Sequence, residues 1–143
     1  MSLEENKALV RQFFEEIYDL NNLVICDTIL DAEFAAFEKQ WVPVWRTAFP
    51  DMRMTVDNTI AEGDQVVAAV TMRGTHTGEL KGEPVRWLTE GLAPTGRQVE
   101  INGIFTYRIA NGRLLNDGHG GIADWLTLLR QLGAVPIPAE TSA

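Results

Sequence analysis

Asp117, His119, His76 and Asn58 are side chains that could transfer protons or bind a substrate oxygen in this 143-residue sequence. An imidazole has a reference pKa of about 6.5, so a histidine can accept or donate a proton near neutral pH. Asp117 lies two residues from His119, and a carboxylate beside an imidazole suits general acid–base catalysis. An apolar pocket would raise the carboxylate pKa and make it a better base. We therefore treat Asp117, His119 and His76 as candidate catalytic residues, and Asn58 as a candidate ligand of a substrate oxygen.

The alternation of strand residues predicts which way these side chains point. Alternate residues of a strand face the same side. Asn58 and His76 each share parity with the apolar residues of their strands, and Asp117 and His119 share parity with Leu115. We expect all four to face an apolar interior. The alternatives are a wet rim for Asn58, a structural hydrogen bond for His76, and a glycine turn that leaves Asp117 and His119 in water.

Aromatic residues provide candidate substrate contacts. Trp41 and Trp45 belong to an aromatic series with a four-residue period, which indicates one face of a helix, and Tyr18 lies near the end of the first amphipathic helix. Packing in the core would also explain these three. Trp87 and Glu90 lie in a glycine- and proline-rich stretch, residues 77–96, that we interpret as a long loop. Trp87 could close over an apolar substrate. Glu90 could be a second acid or base, or a solubilising residue.

Composition excludes several function classes. Lys and Arg total 12 against 20 Asp and Glu, a net charge of −8, which disfavours binding of nucleic acid or an anionic membrane. No apolar run approaches the roughly 20 residues of a membrane span, and the N-terminal residues lack a secretory pattern, so we expect a cytoplasmic protein. Two histidines and one cysteine, Cys26, give no pattern of metal ligands. We expect no metal and no cofactor.

The periodicity predicts helices, then antiparallel strands, then a helix, which is an α+β fold with helices on one face of a curved sheet. Ser2 with Glu5 forms a capping-box pattern that starts the first helix. We expect one domain over residues 1–137 and a frayed tail at 138–143. The predicted helices cover residues 3–20, 23–30, a segment ending at Pro50, and 122–132; the predicted strands cover 52–60, 65–76, 97–109 and 113–119, with a short one at 85–88.

Three stretches of the chain resemble a known family, the SnoaL-like polyketide cyclases. They are ENKALVRQFFEE (5–16); AFPDMRMTV (48–56) with IAEGDQVVA (60–68) and RGTHTGE (73–79); and PTGRQVEINGIFTYRI (94–109) with NGRLL (111–115). The resemblance implies the cone-shaped α+β fold shared with ketosteroid isomerase, scytalone dehydratase and limonene epoxide hydrolase. It also implies an apolar pocket inside the curved sheet and a homodimer.

The same resemblance implies a cofactor-independent enzyme that closes a ring in a largely apolar polyketide or related intermediate, as in antibiotic biosynthesis. The family's aldol chemistry implies an acidic group on the last strand, which points to Asp117. The sequence departs from the family pattern at residues 35–37 and 116–119, so cyclisation directed by pocket shape is an alternative to acid–base catalysis. Two further alternatives are an isomerase, dehydratase or epoxide hydrolase of the same superfamily, and a non-catalytic ligand-binding module.

Overall fold

The computed structural model describes residues 1–82, 85–86, 88 and 90–135. Helices at the N-terminus are followed by four strands and a final short helix. This order confirms the α+β fold class predicted from the sequence. The helices are α1 (Leu3–Gln12), continued by a π-helix (Phe13–Asp19), a 3-10 turn (Leu23–Ile25), α2 (Cys26–Ile29), α3 (Ala32–Ala48) and α4 (Trp125–Gln131); the strands are β1 (Arg53–Glu62), β2 (Gln65–Thr75), β3 (Gln98–Ala110) and β4 (Arg113–Ala123).

The N-terminal helix changes type where it reaches the interior. Ser2 and Glu5 form the predicted capping box, which satisfies two free backbone N–H groups of α1. From Phe13 the helix is π-helical, and its buried residues include Phe13, Phe14 and Tyr18. π-Helical turns are rare and occur frequently at functional sites. Here the π-helix directs three aromatic rings to the space between helix and sheet.

Helix α3 is fixed to the sheet at its first turn. Asp31 caps the helix, because its Oδ1 accepts the Phe34 N–H at 2.8 Å, and its Oδ2 accepts the Asn116 N–H of β4 at 2.8 Å. The Asp31 N–H also donates to the Leu114 carbonyl at 2.9 Å. One residue therefore sets the position of α3 against β4.

The four strands form one antiparallel sheet in the order β1-β2-β3-β4. The face of the sheet toward the helices is apolar, and Val66, Val70, Ile101 and Tyr107 on this face are buried. The helices pack on this side because each carries an apolar stripe. The opposite face leaves Ile104 and Ile122 exposed.

A bulge in β1 overturns the expectation that Asn58 faces the interior. The register with β2 shifts between Val56, which pairs with Val70, and Asn58, which pairs with Ala69. One extra residue, Asp57, reverses the parity beyond it. Asn58 is consequently exposed on the outer face, and its predicted place in the pocket is wrong.

A larger bulge in β4 separates Asp117 from His119. Arg108 pairs with Leu115 and Thr106 pairs with Gly120, so residues 116–119 together lie opposite one residue of β3. Gly118 has φ +85°, a conformation that glycine adopts easily. The Asp117 carboxylate binds Arg108 at 2.9 Å and is exposed, with a side-chain accessibility of 84%. The expectation that Asp117 faces the pocket is therefore wrong.

Two boundaries also differ from the predicted elements. The last strand extends to Ala123, so α4 begins at Trp125, three residues later than expected. Of the short strand expected at 85–88, the described residues Val85, Arg86 and Leu88 are not in a strand, and the Leu88 N–H donates to the Val85 carbonyl in a turn at 2.7 Å. Trp87 and the predicted tail, residues 138–143, lie outside the described residues.

We expect Gly118→Ala to lower the free energy of unfolding by about 1 to 3 kcal/mol, because a side chain at positive φ is strained. Its Cβ would also meet Arg108 Cβ at 3.1 Å. Urea denaturation measures the loss. Gly120→Ala is the matched control, because this position has no positive φ and the nearest atom to its Cβ would be 3.5 Å away. Equal stabilities of the two variants would contradict the role of the bulge.

Candidate functional site

The concave side of the sheet and the helices enclose a cavity of about 340 Å³. Aromatic and other apolar side chains provide most of its wall, among them Phe14, Met52 and Phe105. Among the described residues no lysine or arginine lines it, and the one carboxyl group in the wall is that of Glu38. Apolar cavities with a few convergent polar groups are typical small-molecule sites.

Glu38 lies on α3 in the wall of this cavity and is 2% exposed. Its Oε2 accepts a hydrogen bond of 2.8 Å from the hydroxyl of Tyr18, which the π-helix supplies. Within the described part of the chain, Tyr18 is the hydrogen-bond partner of this carboxyl group, and no cation forms an ion pair with it. The two residues are 20 positions apart, so the contact depends on the packing of two helices.

Burial determines the protonation state of the groups in the wall. Desolvation raises the pKa of Glu38 to about 8, and the Tyr18 hydrogen bond only partly opposes it. Glu38 is therefore a neutral acid at pH 7. Desolvation also raises the pKa values of Tyr18 and Tyr107 well above their ordinary range, with the Glu38 carboxylate as a further cause. Desolvation lowers the pKa of His119, so its ring is neutral as well.

His119 reaches the cavity from β4, at the last position of the bulge. Its ring stacks on Phe34 with centroids 4.4 Å apart and on Tyr107 at 5.5 Å. Phe34 precedes Glu38 by one turn of α3, which is a rise of about 6 Å. The neutral imidazole and the neutral carboxyl group consequently line the same stretch of the wall.

Arg46 fixes the end of the π-helix. Its guanidinium donates to the backbone carbonyl of Tyr18 and, at 3.4 Å, to that of Asp19. It also donates to the Pro50 and Met52 carbonyls at 3.0 and 3.3 Å, where β1 begins. These bonds satisfy carbonyls that the helix end leaves free, and they hold the Tyr18 backbone against α3.

A group of aromatic rings forms one side of the cavity. The Phe37 and Trp41 rings stack with centroids 4.8 Å apart, and the Trp45 ring is nearly parallel to that of Trp125 at 5.2 Å. Trp41, Trp45 and Tyr18 all line the cavity. Their role as substrate contacts stays a prediction.

The other candidate residues lie elsewhere. His76 is fully buried, its Nδ1 accepts the Thr95 N–H at 3.2 Å, and its ring packs on Phe49 rather than in the cavity wall. It joins the end of β2 to Thr95 and Gly96, and the expectation that it points to the pocket mouth is wrong. Glu90 is exposed and does not line the cavity. Of the three candidate catalytic residues, His119 alone lines it.

Sequence reasoning missed Glu38 and Trp125. Glu38 stands on the apolar stripe of α3, four residues after Phe34 and four before Val42, where a charged residue is out of place. A glutamate at that position indicates a candidate site residue from the sequence alone. Trp125 gave no such signal, because its place depends on the length of β4.

Comparison with known proteins shows the family. The family described as SnoaL-like polyketide cyclase matches residues 8–132. The chain belongs to this family. No functionally curated protein matches it.

Several solved structures share the fold of this chain. A candidate polyketide cyclase from Acidithiobacillus ferrooxidans is 25% identical, with a TM-score of 0.71 over 94% of this chain and 99% of that one. IdmH from Streptomyces antibioticus, a candidate polyketide cyclase, is 25% identical, with a TM-score of 0.65 over 90% and 98%. AclR from Streptomyces galilaeus, a candidate hydroxylase, is 23% identical, with a TM-score of 0.71 over 94% and 100%.

The SnoaL-like fold confirms the resemblance stated from the sequence. Within the described ranges, no helix has the length and apolar character needed to cross a membrane. Residue roles do not follow from the fold, because proteins that share it differ in chemistry.

We expect Glu38→Gln to make stability less dependent on pH. The folded pKa of Glu38 is raised from 4.5 to about 8, so its contribution is complete below 4.5 and is lost as pH rises toward 8. In that window each pH unit costs the wild type up to about 1.4 kcal/mol that the variant does not lose. Unfolding free energies from pH 5 to pH 9 test this. A wild-type minus variant difference that stays constant with pH would contradict it.

Proposed function

We propose that the protein is a cofactor-independent cyclase that closes a ring in a polyketide or a related natural-product intermediate. The observation that carries this proposal is the apolar cavity with the His119 imidazole in its wall. Such a cavity can hold a flexible carbonyl chain folded so that two of its carbons meet. Holding the reacting atoms in position contributes several kcal/mol by itself, on the order of 7 to 11 in favourable cases.

In this proposal His119 is the general base. It removes a proton from a carbon between two carbonyl groups. The resulting enolate carbon then attacks the carbon of another carbonyl group farther along the same substrate chain. The electron pair of that C=O bond moves to its oxygen, which takes up a proton to give the alcohol. The imidazolium releases its proton afterwards, so the product is an isomer of the substrate. The neutral ring that burial produces is the form this step requires.

The structural neighbours of this chain include candidate cyclases and, in AclR, a candidate hydroxylase. Cyclisation directed by shape alone is the second candidate, and the predominantly apolar wall favours it. The two mechanisms differ in their need for His119. A pericyclic closure requires no proton transfer, whereas an aldol closure fails without a base.

We expect His119→Gln to lower the kcat for ring closure at least 100-fold, within the range typical of general acid–base groups. The assay uses linear poly-β-carbonyl esters, with product isomers separated by liquid chromatography and mass spectrometry. Asp117→Asn is the matched control, because Asp117 is exposed and its carboxylate pairs with Arg108 outside the cavity. It should keep activity within twofold. Full activity in the His119 variant would favour closure by shape, and no ring closure by the wild type would reject the cyclase.

The homodimer implied by the family resemblance is also part of the proposal. Ile104 and Ile122 pair directly across β3 and β4 on the outer face, where they are exposed by 51% and 81%. Ile60 on β1 is 63% exposed. Apolar side chains grouped on an exposed sheet face are typical of contact surfaces, and a second copy of this chain would cover them.

We expect Ile122→Asp to weaken that dimer at least tenfold, because it would bury a carboxylate in the contact. Light scattering after gel filtration measures the mass. Val24→Asp, an exposed change on the helical side, should leave the dimer intact. A wild-type protein that is monomeric at all concentrations would contradict the proposal.

A further inference from the structure

We propose that Glu38, held by Tyr18, is the group that donates a proton to a carbonyl oxygen of the substrate bound in the cavity. This inference rests on the proposed function and adds a second reactive residue to its site. It starts from a buried carboxyl group in an apolar wall, which needs a reason for being there because burying a polar group costs free energy.

The first step is that Glu38 does not stabilise the fold as an ion. No lysine or arginine lines the cavity within the described ranges, and the hydrogen bond to Glu38 comes from a neutral hydroxyl. A structural carboxylate would have a cation beside it. The surroundings of Glu38 instead favour its neutral form, which carries a proton that it can donate.

The second step is the geometry of its hydrogen bond. The Tyr18 hydroxyl donates to Oε2 at 2.8 Å, and within the described part of the chain no group binds Oε1. The carboxyl group can therefore carry its proton on Oε1 while Tyr18 fixes the orientation of the group. When the proton leaves, the Tyr18 hydroxyl stabilises the carboxylate that remains.

The third step is the relation to His119. The imidazole stacks on Phe34, one turn before Glu38 on α3, so acid and base flank the same space. In the ring closure His119 takes the carbon-bound proton, and the new C–C bond places charge on the carbonyl oxygen. Glu38 gives its proton to that oxygen, which becomes the alcohol. Glu38 is then a carboxylate and His119 an imidazolium, and exchange with water restores both.

The chemistry of the wall also defines the part of the ligand that binds there. A neutral carboxylic acid donates to an acceptor oxygen, and the aromatic surfaces around it favour flat apolar groups. The ligand class is consequently a conjugated or aromatic ketone, with its carbonyl oxygen at Glu38. A ketone that cannot react tests this separately from turnover.

The binding experiment uses 2-acetylnaphthalene, with tryptophan fluorescence as the readout. Its affinity for the wild type should be constant at low pH and should fall at least tenfold as pH rises from 7 to 10, because Glu38 loses its proton. In Glu38→Gln the affinity should not change with pH, since the amide N–H remains a donor. Glu33→Gln is the matched control, an exposed carboxylate on the same helix, and should behave as the wild type does.

The kinetic experiment uses the ring-closure assay. Glu38→Gln should lower kcat at least 100-fold with KM within threefold, and the fall in wild-type kcat above pH 8 should be absent from the residual activity of the variant. Tyr18→Phe should keep part of the activity. The fall of kcat at alkaline pH should move to higher pH in this variant, because the hydroxyl that stabilises the Glu38 carboxylate is gone.

Two results would overturn the role of Glu38. One is wild-type affinity for the ketone that is absent or does not change with pH; the other is a Glu38→Gln variant with wild-type kcat. If the wild type binds the ketone with the expected pH dependence but closes no ring, the proposed cyclase fails while the carbonyl-binding acid stands. Circular dichroism of each variant shows that it is folded, and Tyr18→Phe provides the test should Glu38→Gln not fold.

Discussion

The arrangement of the cavity depends on two hydrogen bonds that the carboxylate of Asp31 accepts. One oxygen begins α3 and the other holds the backbone of β4 just before its bulge, both at 2.8 Å. These are charge-assisted hydrogen bonds, which are stronger than bonds between neutral groups. The residues that follow are Glu38 on the helix and His119 on the strand. The relative position of Glu38 and His119 is thus set from a point outside the cavity.

The cavity combines groups that are neutral for the same reason. Desolvation raises the pKa of an acid and lowers that of an imidazole, so one apolar environment yields a protonated carboxyl group and an unprotonated ring. In water at pH 7 the acid would be ionised and the imidazole partly protonated. The cavity wall therefore holds a protonated carboxyl group, Glu38, and an unprotonated imidazole, His119. Within the described residues neither side chain forms an ion pair. Water that entered the cavity would reduce both effects.

The sequence was sufficient for the fold, because periodicity and capping are local properties. Ser2 with Glu5, the four-residue spacing of Trp41 and Trp45, and the strand alternation each indicated their element correctly. The site was harder to predict. The facing of Asn58 and Asp117 was predicted from the alternation of residues along a strand. A bulge adds residues that interrupt this alternation, and it has no distinctive sequence pattern. His119 lines the cavity as expected, although the bulge at Gly118 interrupts the strand alternation from which its facing was predicted. Glu38 could have been found from its position among apolar residues, whereas the place of Trp125 depends on where β4 ends.

The bulge in β4 has an evolutionary consequence. Residues 116–119 lie opposite a single residue of β3, so the two halves of β4 keep their registers independently. Leu114 before the bulge belongs to the core, whereas His119 at the end of the bulge and Gly121 beyond it line the cavity. Because each half of β4 is held by its own pairing with β3, a change in the length of the bulge leaves the facing of both halves as it is. Descendants of this chain could thus exchange the side chain at the cavity wall while the rest of the sheet keeps its pairing.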